Sequence, residues 1–157
     1  MLKIGLESGD QRVLDALDKG IRLDTASRVL DNLKRAGIAT YVYLLFGTPA
    51  EDEAAALRTL EYAAAQHDQI DFLNLAIFNL PLGGPEARQL KLRDFYPGDL
   101  ALYNDFIHPA GWDRGTVRRF IEKKVRKHPA VQPIIRRDPP IFTSNHAPFF
   151  CLQQDKV

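Results

Sequence analysis

Three short turns hold the residue types from which a ligand site could be assembled: Glu7-Ser8-Gly9, Gly47-Thr48-Pro49 and Asn79-Leu80-Pro81-Leu82-Gly83. Glycine has no Cβ, so it lets a ligand lie directly against the backbone. A carboxylate such as Glu7, if buried, needs a polar partner, and a ribose diol is a natural one. Each feature also has a plainer reading, which spacing alone favours. Ser8 can be only an N-cap, Glu7 a solvated strand-end residue, and Gly47 and Pro49 turn punctuation. The four histidines, His67, His108, His128 and His146, are scattered with no pair one helical turn apart. They read as surface or loop residues rather than a metal site. The sequence has no Ser-His-Asp arrangement, Walker loop or Gly-x-Gly-x-x-Gly.

The surrounding pattern must position those turns. Leu2, Ile4 and Leu6 alternate with Lys3, Gly5 and Glu7, which predicts a strand over residues 2–7. Ser8 followed by Gln11 fits a capping box, so a short helix with Val13, Leu14 and Leu17 is expected to end at Gly20. A second helix is expected after Asp24 as N-cap, ending at Gly37. Thr40 to Phe46 is β-branched and aromatic, hence a second strand. Thr48 and Glu51 form a further capping box with Pro49 at the first helical position, and this helix should run to about His67. Phe72 to Leu80 reads as the third strand. Strands separated by helices imply parallel βαβ crossovers, and in such folds ligands gather at the C-terminal strand ends where the three turns fall. If Val42, Leu44 and Phe46 face the covering helices, then Tyr41, Tyr43, Leu45 and Gly47 face the other way, with Gly5, Glu7, Asn74, Ala76 and Phe78. After Pro85 the pattern loosens. A short helix is expected near Glu86–Arg93 and another after Asp113, with Val117, Phe120, Ile121 and Val125 on one stripe and basic residues opposite. The proline-rich end, through Pro139, Pro140 and Pro148, is expected to wrap over the domain without regular structure.

An apolar fraction of 45% with 26% charged residues is that of a globular chain, not a disordered or fibrous one. No apolar run approaches the roughly 18–20 residues of a membrane span. The first residues read as a strand and not a signal peptide. The single cysteine, Cys151, excludes an internal disulfide and makes a cytoplasmic location the default expectation. Charge is unevenly placed. Residues 1–113 hold 11 Lys/Arg against 17 Asp/Glu, a net of −6, and residues 114–157 hold 10 against 3, a net of +7. A basic third suggests an acidic neighbour or a polyanion. Nucleic acid would call for interleaved aromatics, and Phe120 alone lies between Arg114 and Arg137.

Read in order, the turns resemble a known family. Gly5-Leu6-Glu7-Ser8-Gly9-Asp10-Gln11-Arg12-Val13-Leu14 with Lys19-Gly20 resembles the fourth-strand segment of radical S-adenosylmethionine (radical SAM) enzymes. The likeness is to the branch with cobalamin-binding members and methylthiotransferases. Ala36-Gly37-Ile38 and then Leu45-Phe46-Gly47-Thr48-Pro49-Ala50-Glu51 resemble their fifth strand and its Gly-x-Pro-Gly-Glu turn. Leu80-Pro81-Leu82-Gly83-Gly84 is similar to the Pro-x-Gly-Thr turn after the sixth. Tyr43, Ala50 and Gly84 depart from the pattern, standing where family members have glycine, glycine and threonine. The resemblance covers residues 1–85. It implies that Glu7 and Ser8 bond the ribose or amino-acid part of S-adenosylmethionine. Leu45 and Gly47 would lie against adenine, and the strand reaching Asn79 would read its edge. The family also holds a 4Fe-4S cluster on a Cys-x-x-x-Cys-x-x-Cys loop, and this chain has no such loop.

The expectation is therefore an α/β chain: a parallel βαβαβ half-barrel of the partial TIM type over residues 1–85, and a helical, proline-rich basic extension over 86–157. It would be a C-terminal fragment of a radical SAM Fe-S oxidoreductase, forming one wall of the S-adenosylmethionine site and inactive alone. The 4Fe-4S cluster would belong to the parent enzyme. The expected partner is the N-terminal half-barrel, with self-association through exposed sheet edges as a second route to pairing. A rival is a non-catalytic binding or regulatory α/β domain with a basic C-terminal surface. An aldolase-type barrel would want a lysine at a strand's C-terminal end, and Lys3 sits at the opposite end.

Overall fold

A computed structural model describes residues 1–93 and 102–137. Strand β1 (Leu2–Glu7) is followed by helices α1 (Gln11–Ala16) and α2 (Leu23–Arg35), then β2 (Thr40–Phe46), α3 (Glu53–Ala65) and β3 (Phe72–Ile77). The three strands form one parallel sheet in the order β1-β2-β3, as the alternation of strands and helices requires. It is open, with no closed barrel among the described residues. None of the described helices is long and apolar enough to cross a membrane.

The third strand ends earlier than expected. After Ile77 the chain leaves the parallel sheet, and Leu80–Pro81 (β4) pairs instead with Tyr103–Phe106 (β6), which also pairs with Leu92–Arg93 (β5). In place of the helix expected near Glu86–Arg93 there is a single 3-10 turn, Pro85–Arg88, and then β5. Helix α4 (Arg114–Phe120) runs on into a π turn over Ile121–Val125, and α5 spans Gln132–Arg136. Pro139, Pro140, Pro148 and Cys151 lie outside the described residues.

All three early helix starts differ from the capping expectations. The cap of α1 is Asp10, whose carboxylate accepts from the Arg12 and Val13 N–H groups, rather than Ser8. The residue preceding α2 is Arg22, with Asp24 inside the first turn. Helix α3 is capped by Asp52, which accepts from Ala55 N, so Thr48 and Glu51 precede it. At α1 and α3 a nearby carboxylate with the same capping chemistry takes the position, whereas α2 starts at Arg22 with no side-chain cap.

Register shows which face of the sheet is the core. Val42 pairs with Leu73, Leu44 with Leu75 and Phe46 with Ile77. Together with Leu30 of α2, Ala56, Leu60 and Ala63 of α3, and Val117, Phe120, Ile121 and Val125, they make one apolar cluster. Burying each large member is worth about 1.5–3 kcal/mol. The first 85 residues and the C-terminal stretch thus share a core. On the opposite face Tyr43, Leu45, Asn74 and Ala76 are only half-buried and lie outside that cluster. Helix α3 approaches β1 closely because Gly9 has no side chain. A Cβ there would lie 2.6 Å from Tyr62 Cβ and 2.8 Å from Thr59 Cα.

Candidate functional site

The C-terminal strand ends carry the unusual backbone. The β1–β2 register slips between Gly5 and Glu7, a bulge that adds twist and re-aims the chain beyond it. Glu7 then adopts φ 68°, a left-handed conformation that costs a non-glycine residue about 1–2 kcal/mol. Its carboxylate folds back over Gly5, whose Cβ position would be 3.2 Å from Oε1, and it pairs with Lys19 Nζ at 3.2 Å. Ser8 faces inward and is fully buried. Its hydroxyl lies 3.0 Å from Thr59 Oγ1 on α3 and accepts from Asp10 N at 3.1 Å. Leu45 sits half-buried on the second sheet face, paired with Ala76. Gly47 has φ 80°, and a Cβ there would come within 3.2 Å of Val117 Cγ2. Asn79 is exposed, with Oδ1 accepting from Arg114 Nη1 at 2.5 Å.

The structure brings two of these residues together. Gly47 and Asn79 line an open cleft of about 880 Å³ between the end of β3, the small antiparallel sheet and α4. Glu7 and Leu45 lie on the parallel sheet away from it, and Ser8 is inside the fold.

Sequence reasoning missed the residue that organises the floor of that cleft. Glu51 is 1% exposed, and its Oε2 accepts from Gly47 N at 2.5 Å and from Trp112 Nε1 at 2.9 Å. Burial pushes its carboxyl up from 4.5 to about 7. The two hydrogen bonds pull the other way, and the charges of Asp52 and Asp10 add to the rise. Glu51 Oε1 and Thr48 Oγ1 are buried without a hydrogen-bond partner among the described residues. Beside them His108 is buried. Its Nε2 faces Thr48 O at 2.8 Å, and its Nδ1 accepts from Ala110 N and Trp112 N. Glu51 does not line the cleft; it fixes Gly47 and Trp112, which do. It is a positioning residue. The local signal was a glutamate four residues after a glycine, which a capping box explains equally well.

Nothing in the sequence hints that arginines from two elements converge. Arg93 of β5 and Arg114, Arg118 and Arg119 of α4 all line the cleft, with Asp105 and Asp113.

A 4Fe-4S cluster does not fit this chain. Among the described residues no group of three or more His, Cys, Asp or Glu is placed to hold a metal ion, and the sequence contains one cysteine. On the second sheet face Gly5 is exposed beside the Glu7 carboxylate and pairs with Tyr43, and Leu45 pairs with Ala76 on β3. No protein-family model matches the chain, and no curated protein matches it.

Proposed function

We propose that this chain is one wall of a radical SAM barrel, the part equivalent to its last three strands, and that the second face of the sheet is the lumen side. The observation that carries the proposal is the two-sided sheet. Val42, Leu44, Phe46 and Leu73 are buried under helices, while Tyr43, Leu45, Asn74 and Ala76 on the other face are half-open and mixed in character. A partial TIM-type barrel has that division, because its inner surface is finished by strands from elsewhere. Among the described residues β1 and β3 pair on one side only in this sheet, so each offers an edge to such strands or to a second copy of the chain.

On this reading Glu7 orients the ribose of S-adenosylmethionine and Leu45 packs against its adenine. Ser8 acts through the fold, since its hydroxyl is spent on Thr59 and Asp10. In the assembled enzyme S-adenosylmethionine would supply radical hydrogen-abstraction chemistry, with Glu7 and Leu45 as residues that would hold it, and the chain alone would be inactive. The test begins with the coding sequence immediately upstream or adjacent. A Cys-x-x-x-Cys-x-x-Cys segment there is expected. In the joined protein, reconstituted without oxygen, Glu7→Ala should cut 5′-deoxyadenosine release while leaving the cluster's absorbance intact. Lack of any such segment, or release unaffected by the substitution, sinks the proposal.

A further inference from the structure

We infer that the arginine-lined cleft beside Gly47 is a binding site for the phosphoryl group of a small organic molecule. Its wall carries four arginines, Arg93, Arg114, Arg118 and Arg119, against two carboxylates, Asp105 and Asp113. That leaves an excess of two positive charges over a cavity open to solvent at the strand ends.

The placement of these side chains is specific. Arg114 is held by Asn79 Oδ1 at 2.5 Å and by Phe78 O at 3.3 Å, so its guanidinium is fixed at the mouth of β3. Arg118 stands one turn further along the same helix face, where like charges repel. Among the described residues it has no hydrogen-bond or ionic partner of its own, and it is exposed. Arg119 is tied to the Thr116 hydroxyl at 2.9 Å and lies close to Gly115, where a Cβ would come 3.7 Å from its Nη1. Arg93 enters from the antiparallel sheet, and its contact with Asp105 is long, at 4.0 Å. The donors therefore come from two elements. A planar carboxylate is served by one guanidinium fork, whereas a tetrahedral phosphoryl group presents several oxygens to donors arriving from different sides. An excess of two positive charges also matches its dianion. Phe78 and Phe106, in edge-to-face contact at 6.0 Å, and Trp112 give an apolar surface for the organic remainder.

This assigns a ligand class to a cleft set apart from Glu7 and Leu45, and taking that ligand as the substrate rests on the proposed function. The test uses the purified chain with inorganic pyrophosphate as probe at constant ionic strength. The readout is the emission of Trp112, the sole tryptophan, which lines the cleft. Saturable binding is expected. Arg118→Ala and Arg114→Ala should each weaken it about tenfold, the equivalent of about 1.4 kcal/mol, and Arg136→Ala on α5, outside the cleft, should not. Equal loss in Arg136→Ala would mean diffuse surface charge and overturn the inference. Succinate binding as tightly as pyrophosphate would overturn the phosphoryl class, and no saturable binding would overturn the site. The two readings stay apart because the pyrophosphate titration uses this chain alone, whereas the cofactor wall is tested by 5′-deoxyadenosine release in the joined protein; failure of either leaves the other result standing.

Discussion

Replacing Glu51 by glutamine should remove a pH dependence that the wild-type chain carries across neutrality. In the folded chain the Glu51 carboxyl ionises at about 7 against 4.5 when free, because burial disfavours its charge. Between those values the native state holds a proton that the unfolded state has released. Stability from this group is therefore greatest below about 4.5, falls as pH rises towards 7, and is level above that. The full drop is about 3 kcal/mol. Glutamine keeps the shape and an acceptor oxygen for Gly47 and Trp112, and it does not titrate. Its amide nitrogen would stand where Oε1 now has no partner, which costs about 1–3 kcal/mol at every pH. The diagnostic is therefore the difference between the two proteins as pH changes, in which all other titrating groups cancel. Urea melts at half-unit steps from pH 4.5 to 8 should show the variant gaining on wild type by about 3 kcal/mol. With a slope of about 2 kcal/mol/M, the relative midpoint moves by roughly 1.5 M. Trp112, whose indole donates to Glu51, should report the same titration by its emission in wild type alone. Parallel stability curves for the two proteins would refute the reasoning.

Two further substitutions probe how β1 is fastened. Gly9→Ala places a methyl within 2.8 Å of the Thr59 backbone, so α3 must shift, and denaturant melts should show a loss of about 1–3 kcal/mol. Asp10→Ala removes the cap of α1 and the acceptor of Arg58, costing about 1–2 kcal/mol at pH 7 by the same measurement. Burial pushes Asp10 up, but hydrogen bonds from Arg58, Val13 and Arg12 together hold it below the usual carboxylate range. Its contribution is accordingly present above about pH 4 and is lost as the solution becomes more acidic, so wild type and variant should converge in acid.

The parallel sheet was legible because its signal is local and redundant. Thr40 to Phe46 alternates between two faces and is rich in β-branched and aromatic residues, and the observed strand has those limits. The helix starts were not legible to the residue. Ser8 and Asp10 offer the same capping chemistry, and the choice fell to Asp10 because Thr59, 51 positions along the chain, engages the Ser8 hydroxyl. Glu51 has capping-box spacing from Thr48, yet Trp112, 61 positions away, draws it into the core. The arginine cleft was hidden for a similar reason. The charge excess after Arg114 was visible, but nothing in the sequence says that Arg93, on the small antiparallel sheet, lines the same cleft.

The fastening of β1 to α3 sets an order of assembly that differs from the order of synthesis. Ser8, Gly9 and Asp10 are gripped by Thr59 and Arg58, and not by α2, which comes sooner in the chain. A chain emerging from the ribosome at about 5–20 residues per second exposes the first strand seconds before the helix that locks it. Until then Asp10 has only its own helix N-terminus and the neighbouring Arg12 to bind. β1 is thus made, and can pair with β2, before the helix that grips its C-terminal end exists, and any chain stopped short of α3 leaves Ser8, Gly9 and Asp10 without those partners.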